Sequence, residues 1–507
     1  MSKTLKSKNS DGGLSGLAKD TTIYGVSSIL ARALNFLLLP VYTRKLDAGD
    51  FGIYSELFSI IAVLQVILAF GMETGFFRFA SREDRDPDKV FSTVSCFLLL
   101  SSLAFFIATV VFSGMIAEAC GYYSSAVIYA GVILAADAYT SVFFARLRYE
   151  RKAKMFAVLR TVKIFGEIGF NLLFIFLLPL WFERNPQSIL LRFFTPQVSY
   201  LYIIAAVACS CILSVLMFLP TILRTRLRIH AGYLAQLFFY SFPLMLAGLQ
   251  GILGEMTDRL LFRFLAPETA MSWSEQLGLF SANARLAVIM SLFVQMFRYA
   301  AEPFFFSSSS KGDVKAMYAD AMKYFTCFCV IVFLFISFYS DLFQYLLGRD
   351  FREGISILPI MLMAYLLSGV NQNLSMWYKL ASQTSMALVI TLAGLATTVI
   401  INLVFMPRYG YMAAAWGHPA SYLVMIILSW NLSKSRYKIP YRWASIVTYI
   451  LAGVVLFFIG EIIETPILSL NIIIKTFILI LFLIFVVRRE KINVRGISER
   501  IFSYIRR

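Results

Sequence analysis

Apolar residues recur along this chain in blocks of roughly 20, which is about the length that a helix needs to cross the hydrocarbon core of a bilayer. Because lipid offers the backbone no hydrogen-bond partner, only helices and closed barrels span it, and blocks of this length indicate helices. The pattern therefore predicts an all-α, polytopic membrane protein of about 14 transmembrane helices. The predicted spans lie near Thr22–Tyr42, Phe51–Gly71, Val90–Met115, Ser124–Ala145, Met155–Leu180, Val198–Leu223, Tyr233–Leu253, Leu277–Phe297, Ala319–Leu347, Ile355–Tyr378, Thr384–Met406, Met412–Leu432, Trp443–Ile462 and Ile467–Val487.

Composition and charge agree with this class. The 507 residues are 59% hydrophobic and only 15% charged, which excludes an ordinary soluble domain. The net charge of +17 does not indicate nucleic acid, because Lys and Arg concentrate in the amino terminus and in every second loop. Those segments hold about 31 of them, against about 9 in the opposite loops, and the positive-inside rule then predicts that both termini are cytoplasmic.

The loops and the rare metal-binding residues argue against an enzyme. The longest hydrophilic stretches, near Glu183–Pro196 and Ala266–Gln276, are too short to fold alone, whereas a membrane glycan polymerase or ligase is expected to place catalytic groups in a sizeable loop. Five of the six cysteines lie in apolar spans, and only two histidines are present, so no metal site and no cofactor are predicted. No phosphate-binding loop for ATP hydrolysis is present either.

An internal repeat relates the first six spans to the next six. The sequence FGIYS at residues 51–55 recurs as LGLFS at residues 277–281, each after a helix predicted to end in an arginine-containing outer turn, Thr43-Arg44 or Asp258-Arg259. Repeated halves are typical of transporters, and an even number of spans per half makes the repeat parallel. The predicted division is residues 1–230, residues 231–435, and residues 436–507 with the last two spans and a basic tail.

Several short motifs lie along the chain: Tyr24-Gly25, Pro40-Val41-Tyr42-Thr43-Arg44, Gly52-Ile53-Tyr54-Ser55, Pro243, Asp258-Arg259, Asn402, Pro407, Gly410 and Ala413-Ala414-Ala415. Together they resemble a known family, the polysaccharide transporters and O-antigen-type flippases of the multidrug/oligosaccharidyl-lipid/polysaccharide (MOP) exporter superfamily. The resemblance implies two pseudo-symmetric six-helix lobes around a central cavity, with two further C-terminal helices, in the bacterial cytoplasmic (inner) membrane. It also implies flipping of an undecaprenyl-pyrophosphate-linked oligosaccharide to the outer leaflet by alternating access, possible partners being other polysaccharide assembly proteins.

Charged and polar residues inside the spans indicate a polar interior, because a charge at mid-bilayer is costly unless it faces a cavity or a partner. They recur at helical spacing, which places them in stripes. Arginine suits a pyrophosphate, since its guanidinium is a planar fork of donors that stays charged, and amides can bond sugar hydroxyls. The predicted substrate-binding residues are Arg32, Asn35, Lys163, Arg285, Gln295, Arg298 and Gln372.

Three embedded carboxylates are candidates for coupling transport to a proton, Na⁺ or the membrane potential: Asp137, Glu167 and Glu302. Asp137 is preferred because its own helix offers it no basic partner, although a hydrogen bond to Thr or Ser would also explain it. Lys163 and Glu167 lie one turn apart and form an alternative, purely structural pair. Two other functions stay open, a cation-coupled multidrug exporter of the same superfamily and a membrane glycan polymerase or ligase.

Overall fold

The computed structural model describes residues 36–268, 271–308, 314–381, 383, 385–437, 439–463 and 465–491, with backbone alone at 192, 299–308, 314 and 468. These residues form helices, and the described part of the chain contains no strand. The α-helices are α1 Leu39–Lys45, α2 Ala48–Ala69, α3 Met72–Ala80, α4 Pro87–Val111, α5 Ser113–Cys120, α6 Ser124–Tyr149, α7 Ala153–Arg184, α8 Tyr200–Arg224, α9 Ala231–Leu265, α10 Trp273–Ser308, α11 Val314–Phe338, α12 Ser340–Phe343, α13 Leu358–Leu374, α14 Met376–Leu380, α15 Ser385–Tyr409, α16 Tyr411–Arg436, α17 Trp443–Ile462 and α18 Leu468–Arg489.

Within these residues, 13 helical segments are long and apolar enough to cross a membrane. They coincide with the second to fourteenth predicted spans. The first predicted span, Thr22–Tyr42, lies mostly outside the described residues. The sequence prediction of an all-α, polytopic membrane protein is confirmed.

The structure corrects the predicted end of the seventh span. α9 continues beyond Leu253 to Leu265, so Asp258 and Arg259 lie inside a helix. The sequence repeat had predicted that these two residues form an outer turn. A hydropathy pattern marks only the segment that needs lipid, whereas helical hydrogen bonding continues into polar sequence until the backbone is broken. Here the helix ends just before Pro267, which restricts the preceding residue to extended conformations.

The helical segment Ala48–Ala80, which contains the second predicted span, is broken at Phe70 and Gly71. Phe70 and Gly71 both adopt left-handed backbone conformations, with φ of 50° and 66°, so the predicted end of the span at Gly71 is a break after which α3 continues. A Cβ on Gly71 would also lie only 3.0 Å from the carbonyl oxygen of Ser241 on α9. Both the positive φ and the close approach favour glycine at this position.

The described residues form two compact units. Unit 1 contains the described parts of Met1–Ala282, together with Leu347–Phe351 and Thr391–Gly417, and unit 2 contains those of Asn283–Leu346, Arg352–Ile390 and His418–Arg507. The division predicted from the repeat, at residues 230 and 435, stays a prediction.

Unit 1 has an aromatic core. Phe91 on α4 packs edge-on against Phe143 on α6, with ring centroids 5.3 Å apart, and Phe143 also contacts Phe218 on α8. Edge-to-face pairs of this kind add to the stabilisation that burial provides. The opposite face of α4 exposes large apolar side chains at helical spacing, as expected of a surface that contacts lipid: Leu100, Leu103, Ile107 and Val111.

In unit 2 a buried ion pair ties the last helix to its neighbours. Glu490, which follows α18, accepts hydrogen bonds from Lys323 on α11 and from Tyr449 on α17. Burial acts to raise the pKa of Glu490, but these two hydrogen bonds outweigh it and hold the pKa below its ordinary value. Lys323 is only 3% exposed, so this carboxylate neutralises a charge that would otherwise be costly.

Candidate functional site

A polar cavity of about 350 Å³ lies among the membrane helices of unit 1. Five of its residues come from one face of α6, at positions i, i+3, i+4, i+7 and i+11, and three come from α7 at i, i+4 and i+7. One face of α6 and one face of α7 therefore line the same cavity. The lining residues are Gln65, Glu73, Asp137, Thr140, Ser141, Phe144, Arg148, Phe156, Arg160 and Lys163.

Two ion pairs cross this cavity. The Nζ of Lys163 lies 2.5 Å from Oδ1 of Asp137, and Arg148 pairs with Glu73 of α3. The side chains of Lys163 and Asp137 keep 15% and 34% of their exposure, so the pair borders the cavity and is not sealed in protein. Charges in a membrane need such partners or such a polar space.

Arg160 contributes a third cation. Its guanidinium lies 5.7 Å from the ring centroid of Phe144, an arrangement in which the ring's quadrupole attracts the charge. In the part of the chain that the structure describes, no carboxylate lies within ion-pair distance of it. The cavity therefore holds three cations against the two carboxylates of Glu73 and Asp137 and carries an excess of positive charge.

The structure answers one question that the sequence left open. Lys163 pairs with Asp137 on the neighbouring helix, and among the described residues no ion pair joins it to Glu167 one turn away. The expectation that Asp137 lacks a basic partner holds only for its own helix. The Nδ2 of Asn171 donates to the backbone carbonyl oxygen of Glu167 at 2.8 Å, and this bond does not involve the Glu167 carboxylate.

The other predicted substrate-binding residues are not among those that line this cavity. Arg285, Gln295 and Arg298 lie half-buried on α10 within unit 2, and the buried Oε1 of Gln295 has no hydrogen-bond partner in the described part of the chain. Gln372, on α13 of the same unit, donates to Ser368 Oγ at 3.4 Å. Outside the described residues lie Arg32, Asn35 and the side chain of Glu302.

Glu73 and Arg148 were not predicted because both lie just beyond the predicted ends of their spans, Gly71 and Ala145. Arg148 falls in the predicted loop after the fourth span, yet it continues the face of α6 that carries Asp137, three turns further on. A search for polar residues at helical spacing across the predicted boundary would have found it.

A second feature of unit 1 is a set of close backbone contacts that we call the outer cluster, because the positive-inside rule predicts that these helix ends lie outside. It is formed by Thr43, Gly52, Ser274, Gly278 and Gly348. A Cβ on Gly52 would lie 1.8 Å from the carbonyl oxygen of Ser274, and one on Gly348 would lie 1.8 Å from that of Thr43. These distances are shorter than real Cβ contacts, so the helix ends meet backbone to backbone only because glycine is present.

The outer cluster contains a reciprocal contact between the two copies of the sequence repeat. Gly52 and Gly278 occupy the same place in FGIYS and LGLFS, and a Cβ on Gly278 would lie 1.9 Å from the carbonyl oxygen of Ala48. Ser274 stands in the second copy where Ala48 stands in the first. Each copy thus presents its glycine to the equivalent backbone of the other, which supports the predicted repeat.

A buried ion pair lies beside the outer cluster. Glu56 of α2, only 4% exposed, accepts two hydrogen bonds from Arg263 of α9, from Nε at 2.6 Å and from Nη2 at 2.5 Å. Tyr122 donates a third at 2.6 Å. Burial and the charge of Glu56 raise the pKa of Tyr122, so this phenol keeps its proton and acts as the donor. Arg263 also lies 4.2 Å from the ring centroid of Trp273.

Comparisons with known proteins agree with this architecture. The family model described as "Polysaccharide biosynthesis protein" matches residues 17–309, more than half of the chain. No curated protein matches the chain. The lipid II flippase MurJ, in an inward closed conformation, superposes with a TM-score of 0.69 at 12% identity, over 93% of this chain and 100% of that one.

Two structures of MATE proteins are also similar. One, in complex with MaD5, superposes with a TM-score of 0.55 at 13% identity, over 85% of this chain and 99% of that one. The other is the inward-facing conformation of a multidrug resistance MATE family transporter of the MOP superfamily, with a TM-score of 0.52 at 14% identity, over 85% and 96% of the two chains. The chain therefore belongs to the polysaccharide biosynthesis protein family, as its motifs predicted, and shares its fold with the lipid II flippase MurJ and with these MATE structures.

Proposed function

We propose that the protein is a flippase that moves an undecaprenyl-pyrophosphate-linked oligosaccharide from the cytoplasmic to the outer leaflet of the bacterial cytoplasmic membrane. The family and the fold support a membrane transporter of lipid-linked substrates. The observation that carries the choice of substrate is the excess of positive charge in the membrane cavity of unit 1. A cation-coupled drug exporter would be expected to present acidic groups there.

The cavity offers the groups that such a substrate needs. Arg148 and Arg160 supply guanidinium forks that match phosphate oxygens, and Lys163 adds a compact charge. Thr140 and Ser141 add hydroxyls that can bond a sugar. The polyprenyl tail needs no polar partner and can stay in lipid throughout.

Alternating access needs a barrier that opens in one state and closes in the other. We assign this role on the outer side to the outer cluster and to the Glu56–Arg263 ion pair. Both bring helices of the first half against helices of the second half, and both lie at the helix ends that the positive-inside rule places outside. Tight backbone contacts favour two discrete packings over a continuous range, which suits a switch.

The driving force is proposed to come from an ion or from the membrane potential, through Asp137, Glu167 or Glu302. Asp137 is the best placed of the three, because its ion pair with Lys163 borders the cavity. Protonation of Asp137, or arrival of an anionic substrate at Lys163, would break the same pair, which links the two events.

The proposed function predicts that the protein moves its lipid substrate between leaflets without altering the lipid chemically. Purified protein reconstituted into vesicles is expected to equilibrate a fluorescent undecaprenyl-pyrophosphate oligosaccharide between leaflets, leaving the lipid chemically unchanged, since no catalytic group is assigned. Accessibility of the label to a membrane-impermeant quencher measures this, and chromatography of the extracted lipid is the control. Elongated or transferred glycan would replace the proposal with a polymerase or ligase, and cation-driven export of drugs alone would replace it with a multidrug exporter.

Substitutions of Arg285 test the prediction that residues of α10 bind the substrate. If it holds pyrophosphate, Arg285→Lys is expected to retain partial flipping and Arg285→Ala to lose most of it. One lost charge-assisted hydrogen bond weakens productive binding by roughly ten- to a hundredfold. Glycan display in cells, corrected for protein abundance, measures the effect, with Arg408→Ala at an exposed helix end as the control. Full display by Arg285→Ala at wild-type abundance would remove this residue from the site.

A further inference from the structure

A second cavity in unit 1, of about 680 Å³, lies where four membrane helices end on the face predicted to be cytoplasmic. It is formed by the start of α4, the end of α6, the start of α7, the end of α8 and the loop that follows α8. Because these helices span the membrane, their ends place the cavity at the level of the lipid headgroups. The charged and polar lining residues are Asp86, Asp88, Lys89, Ser92, Arg146, Glu150, Lys152, Thr221, Arg224, Thr225, Arg226, Arg228 and His230.

The end of α8 and the loop after it turn their basic residues toward the cavity. Residues 224–230 read RTRLRIH, and the three arginines, Thr225 and His230 line the cavity. Arg224 is the last residue of α8, and Arg226, Arg228 and His230 alternate along the loop that follows. Alternation of this kind is the pattern of an extended segment with one face turned to the cavity.

Hydrogen bonds to α4 fix the loop in place. The Oγ of Ser92 lies 3.1 Å from the carbonyl oxygen of Arg228 and accepts from the Arg228 backbone N–H at 2.9 Å. The Oγ1 of Thr93 accepts from the His230 backbone N–H (3.3 Å) and lies 3.2 Å from Nδ1 of the same ring. The backbone of the loop is therefore held against α4 at Arg228 and at His230.

The carboxylates of this cavity are already paired. Arg146 lies 2.9 Å from Asp88 and 2.7 Å from Glu150, and Lys152 lies 2.6 Å from Glu150. Burial acts to raise the pKa of Glu150, but hydrogen bonds from Arg146 and Lys152 outweigh it and lower the pKa below its ordinary value. Asp86 has Lys89 at 3.8 Å.

Three arginines of this cavity form no ion pair with its carboxylates. In the described residues, no carboxylate lies within ion-pair distance of Arg224, Arg226 or Arg228, and all three are exposed. The positive-inside rule accounts for arginines on this face of the membrane, but it does not require them to converge on one cavity from a loop that is held rigid. A surplus of guanidinium groups around a preformed space is the arrangement that binds phosphate oxygens.

We infer that this loop cavity, lined by Arg224, Arg226 and Arg228, is a binding site for a phosphate-bearing anion, distinct from the membrane cavity around Lys163. The anion is either the headgroup of an acidic lipid in the adjacent leaflet or a soluble phosphate or pyrophosphate. The inference does not depend on the proposed flippase activity, because no step of transport uses these residues.

The test compares two double variants that remove the same charge from the same face. R226Q/R228Q removes two arginines that line the cavity, and R151Q/K154Q removes two exposed cations that do not. The full chain is purified in each form, and its fold is checked by thermal melting. Binding is measured with inorganic pyrophosphate by calorimetry, and with nanodiscs of phosphatidylglycerol and phosphatidylcholine by native mass spectrometry of the retained lipid.

R226Q/R228Q is expected to weaken binding about tenfold or more, while R151Q/K154Q leaves it near wild type. Loss of pyrophosphate binding identifies a soluble ligand, whereas loss of phosphatidylglycerol retention without any pyrophosphate binding identifies a lipid headgroup. Equal effects of the two double variants would overturn the site in favour of general surface charge. So would wild-type protein that binds neither probe. R226K/R228K, which keeps the charges, is expected to fall between wild type and R226Q/R228Q.

Discussion

Gly52→Val is expected to reduce flipping by roughly five- to a hundredfold, with protein still inserted at normal levels. A Cβ at this position would lie 1.8 Å from the carbonyl oxygen of Ser274, and no rotamer of the new side chain relieves an overlap with backbone. Overpacking of this kind typically costs about 1–3 kcal/mol, which here falls on the state in which the outer cluster is closed. The variant should therefore spend more time with that side open.

The control for this prediction lies on the same helix. A Cβ on Gly49 would meet its nearest neighbours, Asp47 and Ser274 side chains, at an ordinary 3.4 Å, so Gly49→Ala is expected to flip lipid normally. The readouts are flipping in vesicles and hydrogen exchange of the segment around Gly278, which should speed up in the Gly52 variant only. Unchanged exchange and unchanged flipping in Gly52→Val would show that the outer cluster is not the barrier.

The second large effect is expected at the Glu56–Arg263 ion pair. Arg263→Gln leaves Glu56, only 4% exposed, with Tyr122 as its one remaining hydrogen-bond donor among the bonds described above. Removing one partner of a buried pair typically costs about 3–5 kcal/mol, because the other charge stays buried and uncompensated. Arg263→Gln should therefore lower the thermal stability of the purified protein and its flipping rate together.

The double variant E56Q/R263Q separates this explanation from a simple loss of packing. With both charges gone, no uncompensated ion remains, and most of the lost thermal stability is expected to return. Melting temperatures of wild type, both single variants and the double variant complete the cycle. A double variant whose loss equals the sum of the two single losses would show that the charges act independently, contrary to this account.

Much of the fold followed from the sequence because lipid imposes a simple rule on length and polarity. The spans from Phe51–Gly71 to Ile467–Val487 each correspond to a helix. The ends were less accurate, as at Leu253, because a helix continues into polar sequence where no breaker is present. The break at Phe70 and Gly71 was not predicted, since it depends on how closely α9 approaches.

The candidate site was less accessible to sequence reasoning. Periodicity places Lys163 and Glu167 one turn apart on the same helix, but it compares residues within a helix and carries no information on which helix lies opposite. The partner of Lys163 is Asp137, on α6, and only the packing of α6 against α7 reveals it. The same limit hid the pairing of Glu56 with Arg263, two residues far apart in the chain.

The reciprocal contact made by Gly52 and Gly278 has the symmetry of a dimer interface. A contact in which residue i of one copy meets residue j of the other, and j meets i, is isologous, the kind that closes a two-fold dimer. A half-length chain with one glycine at this place would present a self-complementary surface to a second copy of itself. Within the single polypeptide the same symmetry holds, since each glycine packs against the equivalent backbone of the other copy.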